Sequence, residues 1–362
     1  MGLVRLFLAC GVVLAHYDQQ ILAELNLQGD PLWASNVIGA RSVIFFYVVS
    51  GFLISFVLHT KYAPGPAGTR AFFWSRFLRI YPLWWAVLIA SIVLDPRWGG
   101  LHSPFEAVPL TALFGMDWLV SFGAYPKAYW DFIPSSMGIA WTLAAELTFY
   151  AMAPWLLRSP RIAASLFALS FVVRIAAYWF AGDQPTYVIW SFFFFPATLM
   201  FFLLGYFAQR LGSRYPIGLL PSLIALAMAA LLSSLDIQVS VDLPASYFSV
   251  ICFAVALPGL FAATKDSRFF NFCGDLTYPL YLIHSLMIVA LFWPWLATPM
   301  IALAREVPTP HLQSLALFGE LLATALVLSI AVHLLVERHL RWLFMAAAPR
   351  LAPAPVSESA RL

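Results

Sequence analysis

The chain begins with an apolar segment, residues 3–17, that reads LVRLFLACGVVLAHY. Two ionisable side chains interrupt it, Arg5 and His16, which are eleven residues apart. In an α-helix this spacing closes about three turns, so both side chains face the same way with about 16 Å of rise between them. Ionisable groups inside a membrane cost about 3 kcal/mol or more, and they usually face a polar cavity where something is bound or reacts. The pair is therefore the first candidate functional site.

The composition of the whole chain also indicates a membrane environment. Hydrophobic residues make up 62% of the 362 residues and charged residues 10%, whereas soluble domains have about 25% charged residues. Apolar runs recur along the chain without a polar block long enough to fold separately. We predict an all-α polytopic membrane protein with one membrane-embedded domain, residues 1–345. A disordered cytoplasmic tail, residues 346–362, is predicted from its Ala, Pro and Ser content.

Segments of about 20 apolar residues predict ten transmembrane helices. They cover residues 3–21, 37–58, 77–94, 138–157, 162–180, 188–208, 217–235, 247–264, 277–297 and 315–336. A further apolar stretch, residues 104–122, contains Glu106, Pro109 and Asp117, so we predict an interfacial or re-entrant segment there. With ten spans and a cytosolic N-terminus, most Lys and Arg residues fall on the cytosolic side, as the positive-inside rule requires. Both termini are therefore predicted to be cytoplasmic.

His16 is predicted to lie near the bilayer centre if Arg5 marks the cytosolic boundary. The rise of about 16 Å between them is half of a hydrocarbon core of about 30 Å. A neutral imidazole at this depth can take a proton from a hydroxyl as a general base, or it can carry an acyl group as a nucleophile. A structural hydrogen bond to a neighbouring helix is the alternative for this histidine.

Glu146 lies in the fourth predicted span at a depth close to that of His16. Its carboxylate is expected to orient the imidazole or to stabilise its charged form, as the third group of a catalytic triad does. Tyr150, four residues further on, shares the same helix face. The alternative is an ion pair of Glu146 with Arg41 or Arg174 that only neutralises a buried charge.

Basic residues gather on the cytosolic side of the third predicted span. Arg76 and Arg79, preceded by Lys61 and Arg70, suit a phosphorylated ligand, because a guanidinium group binds phosphate with paired donors. Arg5 is predicted to join them. Orientation signals and anionic lipid head groups explain the same residues equally well.

Two further spans offer candidate substrate contacts. In the second span, Ser50 and Gly51 allow close helix approach and a narrow tunnel wall, with simple packing as the alternative. A nucleophilic role for Ser50 requires a base beside it. In the ninth span, Tyr281 and His284 are one helical step apart on one face, so both are candidate lining residues. A structural hydrogen bond is the alternative for His284.

The sequence also argues against several classes of function. No group of His and carboxylate residues has the spacing of a metal site, and there is no glycine-rich phosphate loop. The three cysteines, Cys10, Cys252 and Cys273, lack the close spacing of a zinc or redox site. We therefore predict no metal, no permanently bound cofactor and no nucleic-acid partner, with the lipid bilayer as the surrounding medium.

Five motifs follow one another along the chain. They are Arg5 with His16, Phe46-Tyr47-Val48-Val49-Ser50-Gly51, Arg76-Phe77-Leu78-Arg79-Ile80-Tyr81-Pro82, Trp141-Thr142-Leu143 with Glu146 and Tyr150, and Thr277-Tyr278 with Tyr281 and His284. In this order they resemble acyltransferase family 3, the bacterial O-antigen and exopolysaccharide acetylase type. The chain departs from the family pattern where Tyr47 replaces the second Phe of a Phe-Phe pair and where His339 replaces a common proline. Glu337, just before that position, is predicted to bond Arg338 or a neighbouring basic loop.

The resemblance implies an integral membrane O-acyltransferase of the bacterial inner membrane. Such an enzyme moves an acyl group, commonly acetyl from acetyl-CoA, to a hydroxyl of a cell-surface or exported glycan or of a lipid-linked saccharide. Lipopolysaccharide, exopolysaccharide and a signalling lipo-oligosaccharide are among the open acceptors. By matching positions, the resemblance implies that His16 is the catalytic histidine and Glu146 an essential carboxylate. It also implies that Arg5, Arg76 and Arg79 bind the acyl-CoA donor.

Two other functions fit the same residues. Intramembrane Arg, His and Glu also serve proton relays and polar pathways, so a secondary transporter or glycolipid flippase is the main alternative. Transporters often have internal repeats, whereas the pair of Arg5 and His16 has no counterpart in the second half of the sequence. A structural partner in a polysaccharide export complex is a third possibility, and it predicts indifference to substitution of His16.

Overall fold

The computed structural model describes residues 1–17, 35–94, 111–123, 138–181, 189–235, 244–290, 298–299, 302–303, 306–307 and 309–347. Within these ranges the chain is helical and has no β-strand, which confirms the all-α prediction. The helices are α1 (Gly2–Tyr17), α2 (Ser35–Thr60), α3 (Pro66–Leu94), α4 (Gly115–Ser121), α5 (Trp141–Leu156), α6 (Pro160–Ala181), α7 (Phe195–Arg214), α8 (Leu219–Leu235), α9 (Pro244–Thr264), α10 (Arg268–Ala290), α11 (Pro310–Val332) and α12 (Arg338–Ala347). Two π-helical turns, Ile189–Phe193 and His333–Glu337, precede α7 and α12.

Six helical segments are long and apolar enough to cross a membrane. They are Ile38–Thr60, Pro66–Leu94, Pro160–Phe180, Trp190–Arg214, Ser246–Thr264 and Leu312–Ala346. Helices α1 and α8 are apolar but shorter, and α5 and α10 coincide with the two other predicted spans. Each of the ten predicted segments thus overlaps a helix of this membrane protein. The number of crossings and the side of the termini stay predictions.

Two helices begin earlier than the hydropathy pattern predicts. Helix α3 starts at Pro66 rather than at residue 77, and α10 starts at Arg268 rather than at residue 277. Charged side chains end a hydropathic run, but Arg is a good helix former and does not interrupt the backbone hydrogen bonds. Arg70, Arg76 and Arg79, predicted on the cytosolic side of the third span, therefore lie on one helix, which gives Arg76 and Arg79 fixed directions.

Helix α1 is held between three other helices. It packs against α2 and α10 and also contacts α11. A small apolar core around Val13 and Leu280 joins α1, α10 and α11. The hydroxyl of Tyr17, at the end of α1, donates a hydrogen bond to the Ser314 carbonyl at 2.9 Å. This packing fixes the direction in which the polar side chains of α1 point.

The described part of the connection between α3 and α5, residues 111–123, is too short to cross a membrane by itself. Its helix α4 has seven residues, or about 10 Å, against a hydrocarbon core of about 30 Å. The indoles of Trp84 and Trp85 on α3 donate to the Thr111 and Ala112 carbonyls at 3.2 and 3.1 Å. This part agrees with the non-spanning segment predicted for residues 104–122, while residues 104–110 lie outside the described ranges.

Helices α2 and α7 meet backbone to backbone at two glycines. A Cβ atom on Gly51 would lie 1.8 Å from the Phe202 carbonyl oxygen, and one on Gly205 would lie 1.9 Å from that of Val48. Both distances are far below a van der Waals contact, so no larger residue fits without separating the helices. The close approach predicted at Gly51 is confirmed.

We expect the substitution Gly205→Ala to destabilise the protein by about 1–3 kcal/mol, because the new methyl group forces α2 and α7 apart. The measurement is the Tm of the purified protein in detergent. Gly319→Ala on α11 is the matched control, since a Cβ there meets nothing within 4 Å. Its Tm should stay level or rise slightly. Equal Tm values for the two variants would contradict the close contact.

Candidate active site

A cavity of about 540 Å³ lies among α1, α2, α3, α5, α10 and α12. Its wall on α2 extends from Val43 to Ile54, about 16 Å along the helix axis. The lining also includes Lys61, just past the end of α2, and reaches Tyr281 in the middle of α10. The cavity is therefore elongated, and its volume is large enough to hold a substrate.

Positive charge dominates the cavity wall. The lining contains five cationic side chains and two carboxylates, namely Arg5, Lys61, Arg76, Arg79, Arg341, Glu146 and Asp275. The structure thus brings together the three predicted arginines and Lys61, which the sequence places just before them, and adds Arg341. Such an excess of one sign attracts ligands of the opposite charge. The cavity suits an anionic ligand.

Arg79 is fixed by acidic groups on two sides. Its Nη1 lies 3.7 Å from Asp275 Oδ1 and 3.6 Å from Glu337 Oε1. Glu337 is buried and accepts a hydrogen bond from Nδ1 of His333 at 2.8 Å. Of the two partners predicted for Glu337, the structure therefore shows the neighbouring basic segment, which is part of α3 and not a loop.

Two hydroxyl groups hold Glu146 on the cavity wall. Ser50 Oγ donates to Glu146 Oε1 at 2.9 Å, and the Tyr150 hydroxyl donates to the same oxygen. Ser50 and Tyr150 also line the cavity. Among the described residues no hydrogen bond joins Glu146 to His16, so the expected pair of carboxylate and imidazole is not observed. Arg174 is one of the two arginines that the sequence offered as an alternative partner of Glu146. Its guanidinium donates to a backbone carbonyl in the π-helical turn before α7.

His16 pairs with a second histidine. Its Nδ1 lies 3.1 Å from Nε2 of His284, and the two rings are stacked with centroids 5.2 Å apart. His284 is completely buried, and its Nδ1 donates to the Leu280 carbonyl at 3.1 Å. His16 is partly exposed.

These contacts define the tautomer of both rings. Full burial favours a neutral imidazole at His284, and a neutral ring has one N–H group. That group is on Nδ1, because a carbonyl oxygen can only accept. Nε2 of His284 must then accept from Nδ1 of His16. The free lone pair of His16 is consequently on Nε2, where a general base needs it.

The histidine pair adjoins the cavity and does not line it. Tyr281 lines the inner end of the cavity, and its ring centroid lies 5.8 Å from that of His284. The Tyr281 hydroxyl is anchored by donating to the Ile139 carbonyl at 2.7 Å. The prediction that His284 lines the cavity is wrong, because its burial leaves no surface for a ligand. His284 supports His16 instead.

The sequence interpretation missed Arg341 on α12. The available signal was the short amphipathic pattern of Arg338–Ala347, in which Arg341 and Met345 are four residues apart and share one face. Both line the cavity. This pattern follows the last predicted span, residues 315–336, and the sequence predicts no role in the site for any of its residues.

The described residues offer no site for a metal or a disulfide. No group of three or more His, Cys, Asp and Glu side chains among them could hold a metal ion. Cys10, Cys252 and Cys273 are free thiols.

Similarity to known proteins covers nearly the whole helical region. The family described as "Acyltransferase domain" matches residues 1–334. The chain is also 34% identical over 170 residues to Nodulation protein 10 of Rhizobium leguminosarum bv. viciae, and this alignment covers 43% of each protein. No solved structure matches. Because the family match covers residues 1–334 and includes all five sequence motifs, the chain belongs to acyltransferase family 3.

Proposed function

We propose that this protein is an O-acyltransferase of the bacterial inner membrane with ten spans and both termini in the cytosol. It transfers an acyl group, acetyl in the first instance, from cytosolic acyl-CoA to a hydroxyl of a cell-surface or exported glycan or lipid-linked saccharide. The observation that carries the proposal is a basic cavity beside a partly exposed histidine whose Nε2 accepts no hydrogen bond from the residues that the structure describes.

The shape and charge of the cavity support acyl-CoA as the donor. Coenzyme A has phosphate groups at one end and the thioester at the other end of a flexible arm, so it needs cations at an entrance and a long path inward. The five cations supply the first requirement. Apolar residues of α2 that line the same cavity, Phe46, Val49 and Leu53, supply a wall for the arm. The thioester can then reach the inner end near Tyr281.

His16 is the proposed general base. Its Nε2 accepts the proton of the acceptor hydroxyl while the hydroxyl oxygen attacks the thioester carbonyl. A C–O bond forms, the C–S bond breaks, and coenzyme A leaves as a thiolate that takes the proton back from His16. The hydrogen bond to His284 keeps the ring oriented during both proton transfers. A role of His16 as acyl carrier would use the same lone pair.

The proposal is tested by following a labelled acetyl group. Inside-out membrane vesicles from cells that make the protein should pass label from acetyl-CoA to the saccharide fraction, and vesicles from cells without it should not. Mass spectrometry of the surface glycans of the same two strains should show acetylated hydroxyls only where the protein is present. A change in saccharide uptake or export without any mass difference would favour a transporter or flippase.

A further inference from the structure

We infer that α12 forms part of the donor site and that Arg341 binds a phosphate group of acyl-CoA. This assignment rests on the proposed function and extends it to a residue outside the recognised family region. The family match ends at residue 334, and α12 begins at Arg338. None of the five sequence motifs includes this helix.

The first step is the position of α12. The helical segment Leu312–Ala346 has 35 residues, about 52 Å in length, whereas the hydrocarbon core is about 30 Å thick. The segment is therefore longer than the core, and its charged C-terminal part, which includes Arg338 and Arg341, is the end expected to extend past it. The ring of Phe344 packs against Phe77 and Trp85 of α3, with centroids 5.8 and 6.3 Å away. Helix α12 is thus fixed beside the helix that contains the predicted basic cluster.

The second step is the orientation of α12. Trp342 and Leu343 are 63% and 52% exposed, and such side chains at the end of a span contact the lipid interface. Arg341 and Met345 face the cavity. One side of the helix therefore meets lipid, and another side closes the cavity wall.

The third step is the charge of Arg341. Arg79 lies close to the carboxylates of Asp275 and Glu337. Within the described ranges no carboxylate pairs with Arg341. Its guanidinium has paired donors that match the oxygens of a phosphate group. The cavity already has the length and the apolar wall for the rest of coenzyme A, so the phosphate end is the part that Arg341 would bind.

The test measures Kd values for the full-length protein in phosphatidylcholine nanodiscs, with coenzyme A and with pantetheine, which lacks the phosphates. Arg341→Gln should weaken binding of coenzyme A about 10-fold, as expected for loss of one charged hydrogen-bonding partner. It should leave pantetheine binding unchanged. Arg341→Lys, which keeps the charge, should retain most of the affinity for coenzyme A.

Arg338→Gln is the matched control. Arg338 is on the same helix and has the same charge, but it is exposed and does not line the cavity. Equal coenzyme A affinities for Arg341→Gln and Arg338→Gln would overturn the assignment. This is the result expected if Arg341 binds a lipid phosphate and not coenzyme A. A wild-type protein that binds coenzyme A no better than pantetheine would overturn the acyl-CoA donor itself, and the assignment with it.

Discussion

The substitution His16→Gln is expected to lower the rate of acyl transfer by about 10²–10⁴-fold, the usual contribution of a general base. A glutamine amide can still donate to Nε2 of His284, so the local packing is kept, but it has no basic lone pair. The rate is measured as transfer of label from acetyl-CoA to saccharide in vesicles. Because His16 does not line the cavity, the Kd for coenzyme A should be unchanged.

His59→Gln is the control for this variant. His59 is at the end of α2, where its Nδ1 donates to the Ser55 carbonyl at 2.7 Å, and it does not line the basic cavity. The same replacement of histidine by glutamine should therefore leave the rate of acyl transfer unaltered. A His16→Gln protein that transfers acetyl groups at the wild-type rate would rule out His16 as the base. Such indifference is what a structural partner of an export complex predicts.

The same assay separates a base from an acyl carrier. Labelled acetyl-CoA is mixed with the enzyme in the absence of acceptor, and the protein is recovered by rapid quenching. If His16 acts as a base, no label should become attached to the protein. Label on His16 would identify an acyl carrier. Label on Ser50 would identify that hydroxyl as the nucleophile, with the Glu146 carboxylate, 2.9 Å away, as the candidate base.

The sequence predicted the helices well for a physical reason. Backbone polar groups in lipid must be satisfied within the segment, so a long apolar run in an all-α chain has few alternatives to a helix. The second span, predicted at residues 37–58, is observed as Ser35–Thr60. Helices α3 and α10 begin before the predicted spans because charged residues near their N-termini end the apolar run and not the helix. Hydropathy measures the lipid boundary, whereas hydrogen bonding defines the helix.

The candidate site was predictable within each helix but not between helices. Helical periodicity places Glu146 with Tyr150 and Tyr281 with His284, and both pairs are in contact. Contacts between helices depend on which faces pack together. His16 and His284 are 268 residues apart in the sequence, so similar depth could not reveal their pairing. The expected partner of His16, Glu146, instead bonds side chains of α2 and of its own helix.

The substitution His284→Phe is expected to lower the transfer rate by about 10²-fold or more. In serine-protease triads, loss of the carboxylate that fixes the histidine tautomer costs about 10⁴-fold, which is an upper guide to the effect. Phenylalanine fills the space of the buried ring but cannot accept the Nδ1–H of His16. The hydrogen on His16 is then free to move to Nε2, which removes the lone pair from the position where the acceptor hydroxyl needs it.

His284→Gln separates this positioning effect from a simple loss of packing. Its side-chain oxygen can accept from Nδ1 of His16, so it should recover much of the rate that His284→Phe loses, although both variants lack the imidazole. The Tm of each purified variant and its Kd for coenzyme A show whether the fold and the donor site persist. Equal rates for the two variants would mean that the buried ring acts only by filling space. If His284→Gln recovers the transfer rate and His284→Phe does not, at equal Tm, the hydrogen bond to His16 is what the reaction needs. The glutamine side chain has an oxygen that can accept this bond, and the phenyl ring has none.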